Sequence, residues 1–375
     1  MRDEGKDEDA QRASRLPSSL RDSPRSEFDF IERIRRRALM RHNTARGSDS
    51  SLIPHPSSLI HGIGDDAAVI RQFSGRESVI TADLLVEDVD FSRDTIPPRL
   101  LGHKALAVSL SDIAAMGARP RWALLSVGVP SAIWRSHFLD EFYEGFYALA
   151  DQHGVALVGG DVSRAPDRIV IDSIVVGEAA RGRAVLRSGA EAGDHIFVTG
   201  TLGGSAAGLR LMLGGARLMR RPSRRRRAQE IERLLLRHLR PQPRVEWGAA
   251  IGCGRLATAM IDISDGLSSD LAHLCRESGV GALVEASRIP VDPLIAQVRD
   301  DDLDPLSLAL HGGEDFELLF TVRPRSLARL PHAVGGAPIT YIGDVTNETG
   351  RIRLANEGRT RILKPAGFTH FGGGR

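Results

Sequence analysis

Lysine is almost missing from this sequence of 375 residues, although basic residues are plentiful. Of the 50 Lys and Arg residues, only Lys6, Lys104 and Lys364 are lysines, and none stands in the Gly-Lys-Ser/Thr triplet of a P-loop. The 48 acidic residues leave a net charge of +2, which excludes a protein that binds nucleic acid over its whole surface.

Cysteines and long apolar runs are also scarce. The two cysteines, Cys253 and Cys275, cannot build a disulfide framework or a four-thiolate zinc site. No apolar run approaches the ~20 residues that span a bilayer, and the N-terminus is too charged for a signal peptide. We therefore expect a cytoplasmic protein with no membrane partner.

The order of sequence patterns predicts a disordered extension followed by two domains. Residues 1–26 contain almost no aliphatic side chains, which is typical of a disordered segment, and the spacing over 28–40 predicts a helix. The remainder mixes strand and helix patterns with short connections, which indicates an α+β (mixed α/β) fold. The Gly- and Arg-rich connector at 177–193 predicts an N-terminal domain over 27–182 and a C-terminal α/β domain over 183–371.

Acidic residues recur at the ends of apolar strands and beside glycines. The five segments are GIGDDAA (62–68), TAD (81–83), SDIAAMG (111–117), GGD (159–161) and DISDG (262–266). Each motif alone is a weak signal, and Gly-Asp-Asp commonly makes an ordinary turn. Together they favour a hard cation such as Mg²⁺, which takes oxygen ligands, and glycines let a backbone approach a polyphosphate closely.

Three of these acids have specific local settings. Asp112 lies within an apolar helical pattern, where a carboxylate needs a cation or a partner unless it faces water. Asp262 and Ser264 alternate along a strand pattern. Asp265 falls at a strand-to-helix turn, where capping and metal ligation are both open. Glu314, in HGGED (311–315), either faces a ligand or belongs to an acidic loop.

Other patterns carry less weight. The segment GCGRLA (252–257) matches part of a dinucleotide-binding fingerprint but lies in a helical stretch, so we interpret it as a helix ending. The arginine run at 220–227 could contact phosphates, but no aromatic residues interleave with it, which favours a solvated loop. The sequence contains neither an H-E-x-x-H zinc motif nor a Gly-x-Ser-x-Gly elbow.

Taken in order, the motifs resemble the thiamine-monophosphate kinase family, within the ATP-binding superfamily that includes aminoimidazole ribonucleotide synthetase and selenophosphate synthetase. The segments that carry the resemblance are GIGDDAAVI (62–70), LSDIAAMGARP (110–120), VGGDVSR (158–164), LRSGAEAGDHIFVTGTLGGSAAGL (186–209), RHLRPQPR (237–244), MIDISDGLSSDL (260–271), HGGEDFELLFTV (311–322) and PAGFTHF (365–371).

The resemblance implies in-line, Mg²⁺-assisted transfer of the γ-phosphoryl group of ATP to thiamine phosphate. It also implies a homodimer with no nucleic-acid partner, a barrel-forming N-terminal sheet, and several Mg²⁺ ions. The implied metal-site residues are Asp66, Thr81, Asp83, Asp112, Asp161, Asp262 and Asp265. The implied ATP contacts are Gly160, Asp161, Arg187 and Ser264, and the implied substrate contacts are Glu314, Asp90 and Phe368.

Two positions depart from the family pattern. Ala82 stands where a hydroxyl residue is usual, and Asp90 stands where the family usually has a substrate-contacting histidine. One alternative is therefore another ATP-dependent enzyme of the superfamily with a different acceptor. A selenophosphate synthetase is disfavoured because no cysteine precedes Cys253. The other alternative, an arginine-rich nucleic-acid-binding protein, leaves the aspartates unexplained.

Overall fold

The computed structural model describes residues 59–61, 65–71, 75–219, 225–298 and 303–368. The expected extension over 1–26 and helix over 28–40 lie outside these residues, as do positions 220–224 of the arginine run and 369–371 of the C-terminal signature. In the part that is described, no helix is both long and apolar enough to cross a membrane.

The first half of the chain builds a six-stranded sheet. Its elements are β1 (Leu59–His61), β2 (Ala68–Arg71), β3 (Arg76–Val86), α1 (Pro98–Ala115), β4 (Arg119–Val129), α2 (Ser131–Trp134), α3 (Phe138–His153), β5 (Ala156–Arg164) and β6 (Val170–Ala180). The strand order is β1-β2-β3-β6-β4-β5, and only the β4–β5 pair is parallel. Among the described strands no pairing closes this sheet into a barrel.

The second half builds a larger mixed sheet. Its helices are α4 (Gly204–Leu213), α5 (Arg226–Leu239), α6 (Val245–Gly254), α7 (Leu267–Ser278), α8 (Pro293–Val298) and α9 (Pro305–His311). Its strands are β7 (His195–Thr199), β8 (Ala259–Ile263), β9 (Gly281–Glu285), β10 (Glu317–Val322), β11 (Ala333–Val334), β12 (Ala337–Thr346), β13 (Ile352–Asn356) and β14 (Arg359–Ile362). The order β14-β13-β9-β12-β7-β10-β8, with β11 paired to β12, confirms the expected mixed α/β class.

Helix α1 is the element that joins the two halves. It is buried along nearly its whole length and contacts strands of both sheets as well as α3 and α6. Two glycines allow α1 and α3 to approach closely, because a Cβ at Gly102 would lie 1.8 Å from the Phe142 carbonyl oxygen and one at Gly145 would lie 1.7 Å from that of Arg99. This helix also carries Asp112, as the apolar pattern predicts.

Helix α7 contains a buried histidine that makes stability depend on pH. Nη2 of Arg276 donates to Nδ1 of His273 at 2.8 Å, and burial together with the Arg276 charge lowers the pKa of His273 to about 4. In the unfolded chain a histidine titrates near 6.5. The unfolded state therefore binds more protons between these values, and stability falls as the pH drops through that window.

Replacement of His273 by Gln is expected to remove this part of the pH dependence. Between pH 7.5 and 4.5 the free energy of unfolding of the parent protein should fall by ~2–3 kcal/mol more than that of the variant. Urea titrations of both proteins at several pH values measure the difference. Parallel pH profiles for the two proteins would contradict the assignment.

Candidate active site

Three carboxylates from distant parts of the chain converge where the two sheets meet α1. Asp66 precedes β2, Asp112 lies in the last turns of α1, and Asp262 lies on β8. One carboxylate oxygen from each lies within 4.8 Å of the others. The structure thus brings together three of the residues that the acidic motifs predict as metal ligands.

Hydroxyl groups orient two members of this carboxylate cluster. Thr81 on β3 donates its hydroxyl to Oδ2 of Asp112, and Ser111 donates to Oδ2 of Asp262 at 2.6 Å. The Ser111 bond ties α1 to β8 across 151 sequence positions. Thr81, predicted as a metal-site residue, therefore lies at the cluster as a partner of Asp112.

Asp83, two residues further along β3, adds an unsatisfied oxygen. Its Oδ2 atom is buried without a hydrogen-bond partner, which is uncommon for a carboxylate. Burial, together with the charges of Asp172 and Asp66, raises the pKa of Asp83 to about 6. An orphaned buried oxygen beside other carboxylates is the environment that a bound cation would complete.

The pKa values show that the negative charges of the cluster destabilise one another. Burial raises the pKa of Asp112 well above its usual value, and Asp83, Asp262 and Asp66 add to the shift. Burial and Asp66 raise the pKa of Asp262 in the same way. Ionising all of these carboxyl groups at this spacing in a buried site is unfavourable because the negative charges repel one another. A nearby positive charge would stabilise the ionised cluster.

Arg187 supplies part of that charge from the start of the second half. Its Nε and Nη2 atoms bind the two oxygens of Asp66 at 3.0 and 2.6 Å, and its amide donates to Oδ2 of Asp65 at 3.0 Å. Burial opposes the charged guanidinium, but Asp66 and Asp65 outweigh it and raise the pKa of Arg187. Burial and Asp66 raise the pKa of Asp65 to about 7. Arg187, predicted as an ATP contact, here holds Asp66 in the cluster.

The turn between β8 and α7 differs from the simple cap that its sequence allows. Gly266 occupies the N-cap position, and no side chain caps the helix there. Instead Asp270 reaches back, and its Oδ2 accepts from the amides of Asp265 and Gly266 at 3.2 and 3.0 Å. Asp265 is half-buried beside it. Burial is the main cause of the raised pKa of Asp270, and the charge of Asp265 is the second. Sequence reasoning missed Asp270, although the Asp-Gly-x-x-x-Asp spacing carries the signal.

Gly160 and Asp161 lie farther from the cluster, on the edge strand β5. Gly160 pairs with Leu125, Leu125 with Ser173, and Ser173 with Asp83, so three strand spacings, or about 14 Å, separate the Cα atoms of Gly160 and Asp83. Gly160 has a φ of 147°, and a Cβ there would lie 1.9 Å from the Leu125 carbonyl oxygen, so the position requires glycine. Asp161 is exposed, and its Oδ1 accepts from the Val162 amide.

The predicted substrate residues Asp90, Glu314 and Phe368 line one cavity of about 510 Å³, together with Ser264. Apolar side chains form much of the wall, among them Phe91, Leu209, Met212, Leu213 and Leu239. Oδ2 of Asp90 also accepts from the Val86 amide at 2.8 Å, so this carboxylate closes a turn as well as facing the cavity. The Phe368 amide donates to the Asp265 carbonyl, which joins the C-terminal segment to the β8–α7 turn.

Glu314 is held by two residues that sequence reasoning did not identify. Nζ of Lys104 lies 2.9 Å from each of its carboxylate oxygens, and Nδ1 of His238 lies 3.0 Å from Oε2. Burial opposes ionisation, but Lys104 and His238 outweigh it and lower the pKa of Glu314 to about 2. A lysine inside an apolar helix, in a chain with so few lysines, was the available signal.

The glycine-rich turn after β7 wraps around acids of the chain itself. The amides of Gly203 and Ser205 donate to Asp315 at 2.6 and 3.1 Å. A Cβ at Gly200 would lie 2.2 Å from Oε1 of Glu317. These glycines therefore accommodate the two carboxylates that follow Glu314 in the sequence.

The residues of the carboxylate cluster fit Mg²⁺. Hard cations take oxygen ligands. Three carboxylates converge here, and two of them have raised pKa values. The unpartnered oxygen of Asp83 adds a further oxygen donor. Arg187 pairs with Asp66 and offsets only part of the negative charge, since the pKa values of Asp112 and Asp262 stay raised.

Comparisons with known proteins agree with this geometry. The family model of the AIR synthase related protein N-terminal domain matches residues 64–179, and that of the C-terminal domain matches residues 191–354. Thiamine-monophosphate kinase of Bacillus subtilis is 36% identical over 348 residues, which cover 92% of this chain and 99% of that protein. The Salmonella typhimurium enzyme is 38% identical, over 83% of this chain and 91% of its own length.

Solved structures give the same result. The structure of AaThiL complexed with AMPPCP and TMP aligns with a TM-score of 0.73 and 32% identity, and covers 92% of this chain and 97% of that one. Thiamine-monophosphate kinase from Stenotrophomonas maltophilia K279a aligns with a TM-score of 0.69 and 37% identity, over 89% and 98% of the two chains. On these matches and on the site that its residues build, the chain belongs to the thiamine-monophosphate kinase family of AIR synthase related proteins.

Proposed function

We propose that this protein transfers the γ-phosphoryl group of ATP directly to thiamine phosphate, with Mg²⁺ at the carboxylate cluster. The protein is an ATP-dependent thiamine-phosphate kinase, and ATP is its co-substrate. The observation that carries the metal-assisted mechanism is the convergence of Asp66, Asp112 and Asp262 next to a cavity that suits a small organic acceptor.

The roles of the cluster residues follow from their charges. Asp66, Asp112 and Asp262 would hold Mg²⁺, with Asp83 and Asp265 within the same region, and Thr81 and Ser111 orient the ligands by hydrogen bonds. When bound, Mg²⁺ supplies charge stabilisation to the phosphoryl oxygens. Asp161, Gly160 and Ser264 remain proposed contacts to ATP and its metal.

No side chain is needed as a general base. The acceptor oxygen belongs to a phosphate whose second pKa is ≈ 6, so near neutral pH it is largely ionised already. The problem for the enzyme is repulsion between two anions, about 4 kcal/mol for a unit pair at 4 Å and an effective dielectric of 20. The chain's residues must therefore bind cations, align the two phosphates and exclude water.

The cavity beside the cluster is the proposed acceptor site. The carboxylates of Asp90 and Glu314 line it, and Phe368 contributes an aromatic face. This combination suits the cationic and aromatic rings of thiamine phosphate, because carboxylates attract a cation and apolar walls cover the rings. Asp90 stands where the family usually has a histidine. Its carboxylate accepts hydrogen bonds and attracts a cation, so the cavity remains suitable for a cationic ring.

A coupled ADP-release assay tests the function. Thiamine phosphate, thiamine and aminoimidazole precursors are offered side by side with ATP and Mg²⁺, and we expect turnover with thiamine phosphate alone. Activity should disappear on addition of EDTA and return with excess Mg²⁺. Turnover only with an aminoimidazole precursor would favour the alternative acceptor, and activity that survives metal removal would contradict the metal-assisted mechanism.

We also infer a cytoplasmic homodimer that forms through the open face of the N-terminal sheet. One face of this sheet packs on α1, and its other face carries a patch of apolar side chains beside the polar Ser126 and Asp172; the patch consists of Ile80, Leu84, Trp122, Leu124, Ile174 and Val176. Leu84 is 59% exposed and Trp122 is 42% exposed. An apolar patch of this kind indicates an interaction surface, and a second copy of the chain is the occupant that we propose.

Replacement of Leu84 and Trp122 by Arg is expected to separate the proposed dimer. Two guanidinium groups would have to be desolvated in the interface, which is costly without partners. Light scattering after size exclusion should give twice the chain mass of 40.7 kDa for the parent and a single chain mass for the variant. Ile362→Arg, at another exposed apolar position on β14, is the control. A monomeric parent protein would contradict the dimer.

We propose the boundary between the two domains at residues 182 and 183. The matches to the N-terminal and C-terminal family models leave residues 180–190 between them. The N-terminal domain, from residue 27, would carry most of the metal ligands and the dimer surface, and the C-terminal α/β domain would extend to residue 371.

A further inference from the structure

Lys104 is a cation without access to water. It lies on α1, its side chain is 1% exposed, and its Nζ atom contacts both oxygens of Glu314, which lies 210 positions later in the sequence. A buried ammonium requires such a partner, because its desolvation is otherwise very costly. The Lys104–Glu314 ion pair is therefore a specific long-range contact that joins α1 to the loop before β10.

The backbone around Glu314 leaves its side chain little freedom. Its φ is +62°, in the left-handed region, and its amide donates to the Ser264 carbonyl oxygen at 2.7 Å. The preceding Gly313 packs so tightly that a Cβ there would lie 2.5 Å from the same oxygen. The loop thus presents the Glu314 side chain towards α1 and towards the cavity.

His238 on α5 supplies the second contact to the carboxylate. Its Nδ1 atom lies 3.0 Å from Oε2 of Glu314 and 3.1 Å from the Ser205 hydroxyl, and its side chain is almost fully buried. Burial and the Lys104 charge lower the pKa of His238, and Nδ1 donates to the Glu314 carboxylate, which can only accept. Elements from three separate parts of the chain therefore fix one carboxylate at the cavity wall.

We propose that Lys104 and His238 are positioning residues that orient the Glu314 carboxylate for binding of the acceptor, a role that rests on the proposed function. Glu314 retains 29% exposure of its side chain and lines the cavity, so it can still contact a ligand after both partners have bound it. Lys104 acts through Glu314, and it does so from the same helix that carries Asp112. Because Lys104 and Asp112 are eight residues apart, about 12 Å along α1, one rigid helix sets the spacing between the acceptor site and the metal site.

A double-mutant cycle tests this proposal. The variants are Lys104→Met, Glu314→Gln and the combination, each measured for KM and kcat with both substrates. If Lys104 acts only through Glu314, each single change should raise KM for thiamine phosphate about tenfold with less than about a threefold loss of kcat. The combined variant should match Glu314→Gln alone, because nothing remains for Lys104 to orient.

The readouts separate positioning from a general structural effect. KM for ATP should stay within about twofold of the parent value in every variant, and calorimetric titration of thiamine phosphate should show the same loss of affinity as KM. His103→Gln is the matched control, because His103 is the adjacent buried residue on α1 and binds the Pro241 carbonyl at 2.7 Å, away from Glu314. This control should lose stability without a change in KM for thiamine phosphate.

Several outcomes would overturn the proposal. Effects of the two single changes that multiply in the combined variant would mean that Lys104 acts independently of Glu314. A Lys104→Met enzyme with unchanged KM would remove its role altogether. If Lys104→Met does not fold because Glu314 has lost its charged partner and keeps only His238, the combined variant, which removes both charges, still gives the comparison with Glu314→Gln. A parent enzyme that neither binds nor turns over thiamine phosphate would overturn the proposed function itself.

Discussion

Replacement of Asp112 by Asn is expected to lower kcat by about 10³-fold, or ~4 kcal/mol of transition-state stabilisation, even at saturating Mg²⁺. Asp112 lies at the centre of the carboxylate cluster, between Thr81 and the acids of β3 and β8. The amide has the same shape but no charge, so it removes an anionic ligand without opening a cavity. The coupled ADP-release assay measures this loss.

The same replacement is expected to leave the fold intact and even to stabilise it when metal is absent. Burial and the neighbouring acids raise the pKa of Asp112, which means that its charge is unfavourable in the metal-free protein. Unfolding in EDTA should therefore be no easier for the variant than for the parent. Asp140→Asn, an exposed acid in the first turn of α3, is the control and should keep parental turnover. Parental turnover in the Asp112 variant would remove this residue from the mechanism.

Replacement of Arg244 by Met is expected to destabilise the protein by ~3–5 kcal/mol. Both oxygens of the fully buried Glu317 bind the Arg244 guanidinium, and Thr199 adds a hydrogen bond at 2.6 Å. Without Arg244, the partners that this carboxylate keeps among the described residues are Thr199 and Arg237, whose Nη2 atom is 3.6 Å away. Urea or thermal unfolding measures the loss of stability.

Two comparisons identify the cause of that loss. Arg323→Met breaks the exposed ion pair with Glu191 and should cost less than ~1 kcal/mol, because water screens exposed pairs. Adding Glu317→Gln to Arg244→Met should recover part of the stability, since the unpaired charge is then gone. A double variant less stable than Arg244→Met alone would contradict the explanation that the unpaired charge is the cause.

Local patterns predicted the elements that carry the acidic residues of the site. The apolar helical pattern around Asp112 agrees with α1 at Pro98–Ala115, and the strand pattern of Asp262 followed by the strand-to-helix turn at Asp265 agrees with β8 and α7. These elements were predictable because the periodicity of their apolar residues reflects the face that they bury. The helix ending at GCGRLA is confirmed too, since α6 stops at Gly254.

The residues that sequence reasoning missed depend on partners far away in the chain. The partner of Lys104 is Glu314, 210 positions away, and the partner of Asp65 is the Arg187 amide, 122 positions away. The bonds from the Asp265 and Gly266 amides to Asp270 could be found only from the actual path of the β8–α7 turn, because Asp265 and Ser264 were equally good acceptors by residue type. A single sequence carries residue types and local spacing, and it contains no distances between segments.

The sequence by itself determined the kinds of group available: acids beside glycines in a fixed order, almost no lysine, and the apolar periodicities of an α+β chain. Only the tertiary structure decided which of those acids share one buried cluster, which one a lysine holds, and which lie apart on an edge strand. The physical reason is that pKa values, ion pairing and metal binding depend on distance and burial, and both are set when α1 packs between the two sheets.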